Sequence, residues 1–182
     1  MLTTTMEYAA AAAAAAGASP GAQRRIATGD ALTLAGTWGP IWRLAAGVLR
    51  LDRDGDGAML ALPGDLIGAE LLTAAPYHYT ARALSPCVVQ TVAPGDAAQR
   101  QQLLAEAMLQ SHKRADDVLS LRSGPARQRL ERLQSMLAAA DPDGRVPPRL
   151  RLKDCAAFVG ATQETTCRML AALRGEGASR RR

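Results

Sequence analysis

Apolar and polar residues alternate in short runs over the first half of the chain and then change period. Ala31-Leu32-Thr33-Leu34, Ile41-Trp42-Arg43-Leu44 and Val48-Leu49-Arg50-Leu51 alternate as a strand with one buried face does. Gly36, Gly39-Pro40 and Gly47 punctuate these runs. Asp54-Gly55-Asp56-Gly57 has the composition of a hairpin turn, after which Met59-Leu60-Ala61-Leu62 returns. Pro63-Gly64-Asp65 and Ile67-Gly68 come next, then a strand expected from Tyr79 through Val88, Val89 and Val92. Short strands separated by turn signals predict a small antiparallel barrel or sandwich.

From Asp96 to Arg122 there is neither Gly nor Pro. Leu104, Met108, Ser111, Ala115 and Val118 recur at helical steps, which aligns them on one stripe of a long helix. A seam of small and medium residues suits contact with the same helix of a second copy. It equally suits packing against the chain's own barrel. Ser123-Gly124-Pro125 ends the run, with Ser123 placed to cap and Pro125 to enter the first turn of a second helix. That helix is expected from Ala126 to Ala140, with Leu130, Leu133 and Leu137 inward. After a loop containing Asp141-Pro142-Asp143-Gly144 and Pro147-Pro148, residues 152–175 predict two short helices around Gly160-Ala161-Thr162. Ala156 packs small, Gly160 supplies the turn, Thr162 caps, and Met169, Leu170 and Leu173 give the second helix its apolar positions. This is the helix-turn-helix pattern, whose second helix enters the major groove of DNA.

Composition narrows the core. Hydrophobic residues are 48% and charged residues 21%, which is globular and excludes wholesale disorder. With aromatics at 3% and Phe158 the single phenylalanine, the core falls to Leu, Ala, Val and Met. The net charge of +5 is unevenly spread. Residues 1–99 carry six basic and eight acidic side chains, residues 100–182 sixteen basic and nine acidic. A basic C-terminal half points to a polyanion there, though charge alone does not choose between DNA, RNA and a membrane surface. Cys87, Cys155 and Cys167 are widely spaced with no CxxC pair, which excludes a zinc ribbon or disulfide framework and fits reduced thiols. No apolar run reaches the ~18 residues of a membrane span. Ala9 to Ala16 sits where a signal peptide would, but Glu7 stands in place of basic charge. Residues 1–24 therefore read as a low-complexity Ala-rich lead, and the protein as cytoplasmic.

Candidate chemistry is thin. Asp52, Asp54, Asp56 and Gly57 imitate the start of a calcium loop, but Pro63 stands where the bidentate Glu is required and the flanks are strands. His78 and His112 form no metal pair, and a lone His78 in a Tyr-rich stretch is a structural residue rather than a haem ligand. Adjacent Ser111 and His112 point apart on a helix. No catalytic constellation remains, so the chain reads as neither an enzyme nor a cofactor protein.

The elements agree in order with one family. Leu44 to Gly47, Val48-Leu49-Arg50-Leu51, Leu62-Pro63-Gly64-Asp65-Leu66-Ile67-Gly68 and Tyr79-Thr80-Ala81 resemble the cyclic-nucleotide-type jelly roll of the cyclic-AMP receptor protein/FNR family of bacterial transcription regulators. The long helix is similar to that family's dimerisation helix, and Cys155 to Leu170 to its DNA-reading motif. The resemblance covers roughly residues 31–177. It implies an α+β chain with a jelly-roll sensor at 25–95, a dimerisation helix at 96–122 and a helix-turn-helix domain at 123–182. Double-stranded DNA, a second copy and RNA polymerase are the implied partners, with no membrane. Thr162, Gln163, Glu164, Thr165, Arg168 and Arg174 become the implied DNA-binding residues, and Gly64, Asp65, Gly68, Glu70, Tyr79 and Thr80 the implied effector pocket.

Departures from the pattern shape the expected function. Cyclic-nucleotide binders of the family place an Arg before the Ser or Thr to neutralise phosphate, and here Tyr79 precedes Thr80. Glu70 follows Gly68 one residue late for a ribose contact. No cysteine precedes Cys87, as the iron–sulfur branch would need. Tyr77-His78-Tyr79-Thr80-Ala81 and Val88-Val89-Gln90 are most similar to cyclic-nucleotide-independent, stress-responsive members from thermophilic and radiation-resistant bacteria. The family continues past Gly177 into a β-wing, so the tail Ala178-Ser179-Arg180-Arg181-Arg182 implies a truncated wing. Thr166 at an apolar family position, and Arg151 at a Ser/Thr cap, are expected to weaken this domain, by about 0.5–2 kcal/mol for a lost cap. The expected function is a homodimeric, sequence-specific transcription regulator that does not use cyclic AMP. The other reading is a dimeric sensor or antagonist whose truncated domain no longer binds operator DNA.

Overall fold

The computed structural model describes residues 21–53, 56–140 and 150–179, with backbone alone for 56, 57 and 174–179. Expectations for the Ala-rich lead up to residue 20, the turn at Asp54-Gly55, the loop at 141–149, the Arg174 side chain and the terminal arginines lie outside the described residues.

Among the described residues eight strands come first: β1 Gln23–Ile26, β2 Ala31–Thr33, β3 Ile41–Ala46, β4 Leu49–Arg53, β5 Asp56–Ala61, β6 Leu66–Ile67, β7 Thr80–Ala83 and β8 Cys87–Val92. They form two antiparallel sheets of four strands, ordered β1-β8-β3-β6 and β2-β7-β4-β5. The alternation in the sequence is the alternation of burial. In β8, Cys87, Val89 and Thr91 are buried and their neighbours half-exposed; in β4, Leu49 and Leu51 are buried. These inner faces share one core with Ile26, Trp42, Leu44, Ala81 and Ala83. β3 breaks the rule at its start, where Ile41 and Trp42 are both buried. Trp42 enters the core between the sheets, whereas Ile41 joins a second cluster with Leu66, Leu71, Leu72 and Leu103. Both faces of the strand are covered there.

Three features differ from expectation. β1 takes in Gln23 and Arg24, the end of the expected lead, because Arg24 and Arg25 pair in register with Val89 and Val88 of β8. The expected strand from Tyr79 to Val92 is two strands parted at Leu84-Ser85-Pro86. Pro86 offers no amide to a ladder, and the Val48 amide donates to the Ser85 hydroxyl at 3.0 Å. Beyond β6, where only turn signals were legible, Ala69–Thr73 is a 3-10 helix that buries Leu71 and Leu72. Gly68 opens it at φ 81°, and a Cβ there would collide with the Tyr77 ring. The Tyr77 hydroxyl donates to the Pro40 carbonyl at 2.6 Å, and burial pushes its phenol well above the usual tyrosine value.

Four helices follow: α1 Ala97–Arg122, α2 Ala126–Ala139, α3 Leu152–Val159 and α4 Gln163–Ser179. Asp96 caps α1 by accepting from the Gln99 amide at 2.8 Å. Compactness divides the chain inside α1, between Arg114 and Ala115. In the first unit, Leu103 and Ala107 of α1 pack into the cluster built on Ile41. In the second, α2, α3 and α4 contact one another, with Leu121, Leu130, Leu133, Leu137, Phe158 and Val159 buried. Two details of this unit correct the sequence reading. Pro125 itself occupies the N-cap of α2 with no side-chain cap, and Ser123 contributes its carbonyl, which accepts from Arg132 at 3.1 Å. α4 is 17 residues long and passes the expected end near 175, since its late glycines lie in the run without breaking it.

Candidate nucleic-acid interface and sensor pocket

The geometry between α3 and α4 begins with unpaired carbonyls. The last turn of a helix leaves its C=O groups without partners, and here arginines supply them. Arg122 donates from Nε to the Phe158 carbonyl at 3.1 Å and from Nη2 to that of Ala157 at 2.9 Å. Arg129 donates from Nη1 to the carbonyls of Val159 and Gly160. Two cations at a helix C-terminus also oppose its dipole. Gly160 then reverses the chain in the left-handed region at φ 58°, ψ 46°, and the Ala161 amide donates to Ala156 at 3.1 Å. A Cβ on Gly160 would stand 2.9 Å from Cδ of Arg122. Glycine therefore serves both the turn and the approach of the arginine.

Thr162 starts α4. Its hydroxyl accepts from the Thr165 amide at 3.2 Å and donates to the Thr165 hydroxyl at 3.0 Å. Thr166 is 0% exposed, and its hydroxyl donates to the Thr162 carbonyl at 2.9 Å. The polar atom at this apolar family position is thereby paired inside its own helix. Arg151, at the N-cap of α3, makes no side-chain cap bond. Past the cap, Gln163, Glu164, Cys167 and Arg168 are exposed and Thr165 is half-buried. Glu164 and Arg168 stand 3.9 Å apart, one turn from each other. A pair this exposed is worth about 0–1 kcal/mol, so both side chains are free to turn to a partner.

The implied effector pocket is internally committed. Asp65 accepts from the Leu62 amide at 3.0 Å, and Glu70 from the His78 amide at 3.3 Å. Thr80 accepts from the Ala35 amide at 3.1 Å, and the Tyr79 carbonyl accepts from the Thr33 hydroxyl at 3.1 Å. Gly64 donates its amide to the Leu44 carbonyl at 2.7 Å, and the Gly68 carbonyl accepts from Leu71. The structure adds a residue the sequence reading missed, Arg114. Its Nη2 lies 3.0 Å from the Leu66 carbonyl and 3.7 Å from Asp65 Oδ2, with only 16% of the side chain exposed. Glu106, Gln110 and Arg114, each four residues apart, carried the signal. Apolar spacing does not register such a polar row. Arg43 grips Glu106 through two hydrogen bonds, the longer 2.9 Å. That bond holds the Glu106 carboxyl below its usual range.

The apolar stripe of α1 is open on this chain. Met108 is 64% exposed and Leu104 37%, and Ser111 and Ala115 are exposed as well. Val118 is half-buried, and the exposed leucine of the last turns is instead Leu119, at 63%. Among the described residues no group of His, Cys, Asp or Glu could hold a metal ion, and no helix is long and apolar enough to cross a membrane. Asp52, from the false calcium loop, accepts from Arg50 Nε at 2.8 and 2.9 Å.

No family model and no curated protein matches the chain. Solved structures do. A CRP-family transcriptional regulator from Thermus thermophilus is 26% identical, with a TM-score of 0.68 and 85% of each chain covered. A second regulator from that organism, of the CRP/FNR family, is 20% identical at a TM-score of 0.63, covering 86% of this chain and 87% of its own. FixK2 from Bradyrhizobium japonicum shares the fold at 20% identity and a TM-score of 0.66, with 86% of each chain covered.

Proposed function

From its place among the CRP/FNR transcriptional regulators, we propose that this chain is a homodimeric, sequence-specific DNA-binding regulator that works without cyclic AMP. The observation that carries the reading is the start of α4. A capped, arginine-braced turn fixes the helix, and its first two turns present Gln163, Glu164 and Arg168 to solvent. A glutamine amide matches adenine, accepting from N6 and donating to N7; a carboxylate accepts from cytosine N4, and arginine pairs with guanine or phosphate. Thr162, Thr165 and Arg174 complete the proposed contact set. Two helices from a two-fold dimer read half-sites about one helical turn apart. The open stripe from Leu104 to Ala115 is the proposed dimer seam, with Val118 at its margin and Leu119 added to it. The sensor roll, the α1 seam and the helix-turn-helix unit are the proposed division of labour, with RNA polymerase as the transcription partner.

Independence from cyclic AMP is supported by the Asp65, Glu70 and Thr80 side chains, which already accept from backbone amides of the chain, with Tyr79 where the family sets its phosphate arginine. Sedimentation combined with mobility shifts of promoter fragments across salt tests the proposal. The expected result is a dimer with operator preference, and an affinity that falls with salt as phosphate contacts require. A dimer without operator preference would replace this reading with the antagonist one, and micromolar cyclic AMP affinity by calorimetry would remove the independence.

A further inference from the structure

Asp65 is 9% exposed in the turn before β6, so its carboxylate is largely removed from water. Such a charge is costly unless matched. One backbone amide, that of Leu62, reaches it. The matching charge comes from the long helix. Arg114 Nη2 lies 3.7 Å from Asp65 and donates to Leu66, while Glu70 and Tyr79 stand within its electrostatic range. Arg114 Nε is buried with no hydrogen-bond partner among the described residues. Burial lowers the guanidinium's own proton affinity, and Asp65 and then Glu70 oppose that loss. The group is thus held by a hydrogen bond to a backbone carbonyl with the Asp65 carboxylate beside it.

We propose that Arg114 is a built-in occupant of the implied effector site, a guanidinium delivered by α1 to the buried Asp65 carboxylate. It fastens the helix to the roll through Leu66 and Asp65. The pocket assignment rests on the regulator reading above; the fastening does not. Two consequences follow. The unoccupied form of the site selects small guanidinium cations, not cyclic phosphates. Removing the side chain also leaves a cavity that such a cation can refill.

The test uses the full chain as Arg114→Met, which keeps an apolar stem, alongside Arg114→Ala. Amide exchange at Leu66, whose N–H is bonded to Gln110, reads the fastening without any DNA. In both variants it should quicken about tenfold or more. In Arg114→Ala, millimolar ethylguanidinium should slow it again, while ethylammonium and urea at the same concentration should not. The double variant Asp65→Asn, Arg114→Ala should not respond. Operator affinity, where the parent binds, should fall and recover in parallel. Unchanged exchange in Arg114→Met overturns the proposal, as does a folded Arg114→Ala that ethylguanidinium leaves unaltered. If exchange recovers while the parent shows no operator preference, the regulator reading falls and the internal occupant stands.

Discussion

The side-chain amide of Gln110 pairs with both backbone groups of Leu66. Its Oε1 accepts from the Leu66 amide at 2.7 Å, and its Nε2 donates to the Leu66 carbonyl at 2.8 Å. β6 is an edge strand joined to the sheet only through β3, so its outer groups would otherwise have no ladder partner. One glutamine on α1 closes the edge that a strand would close elsewhere. Gln110→Ala leaves the Leu66 amide unmatched, while the carbonyl keeps its bond from Arg114, and should destabilise by about 1–3 kcal/mol. Urea unfolding of the parent and variant measures it, and a change below a few tenths would remove Gln110 from this role.

The Arg43–Glu106 pair gives the fold a pH dependence of known sign. The Glu106 carboxyl is held below its unfolded value, first by the hydrogen bond from Arg43. Its contribution is therefore present above the unfolded carboxylate range and is lost as pH falls through the folded value. The two side chains are 34% and 37% exposed, so solvent screening keeps the contribution small. Glu106→Gln should flatten the fall in stability below the usual glutamate range and change little near neutrality, read by thermal unfolding against pH.

The turn before α4 has two separable parts. Thr162→Ala removes the cap and should cost about 0.5–2 kcal/mol. Gly160→Ala should cost about 1–2 kcal/mol from the left-handed backbone alone, with more from the forced retreat of Arg122. Denaturant midpoints give both, and the glycine variant should be the more damaging.

Gln163 carries a base-level prediction. Randomised-operator selection should return adenine where this side chain reaches the base edge. Gln163→Arg should return guanine there, with a discrimination of about 1–3 kcal/mol. The same base from both proteins would show that this residue does not read DNA.

Cys167 is a built-in reporter for that face. Cys87 and Cys155 are buried, with thiols pushed up by desolvation, whereas Cys167 is exposed in α4. Native labelling with a thiol reagent should modify one cysteine quickly and two only on unfolding. Operator DNA should slow the fast reaction, since Cys167 follows Gln163 by about one helical turn. Equal rates with and without operator would place the DNA elsewhere.

Local patterns determined much of this protein. The period-two runs of β3, β4 and β8 and the inward leucines of α2 are legible because burial on one face writes itself directly into spacing. So is the cap at Thr162, because it is made with a residue three positions away. Other features needed the tertiary structure. Ile41 and Trp42 adjoin in sequence but serve different clusters, which only the arrival of Leu103 explains. β6 has two residues and carries no period; it exists because β3 lies on one side and Gln110 on the other. Arg114 looks like a solvated helix charge until the turn at Asp65 is folded against it. Likewise Arg122 and Arg129 read as surface charge until α3 ends beneath them. Contacts within one element are set by spacing along the chain, but a polar side chain's partner is set by which distant backbone group folding leaves unpaired.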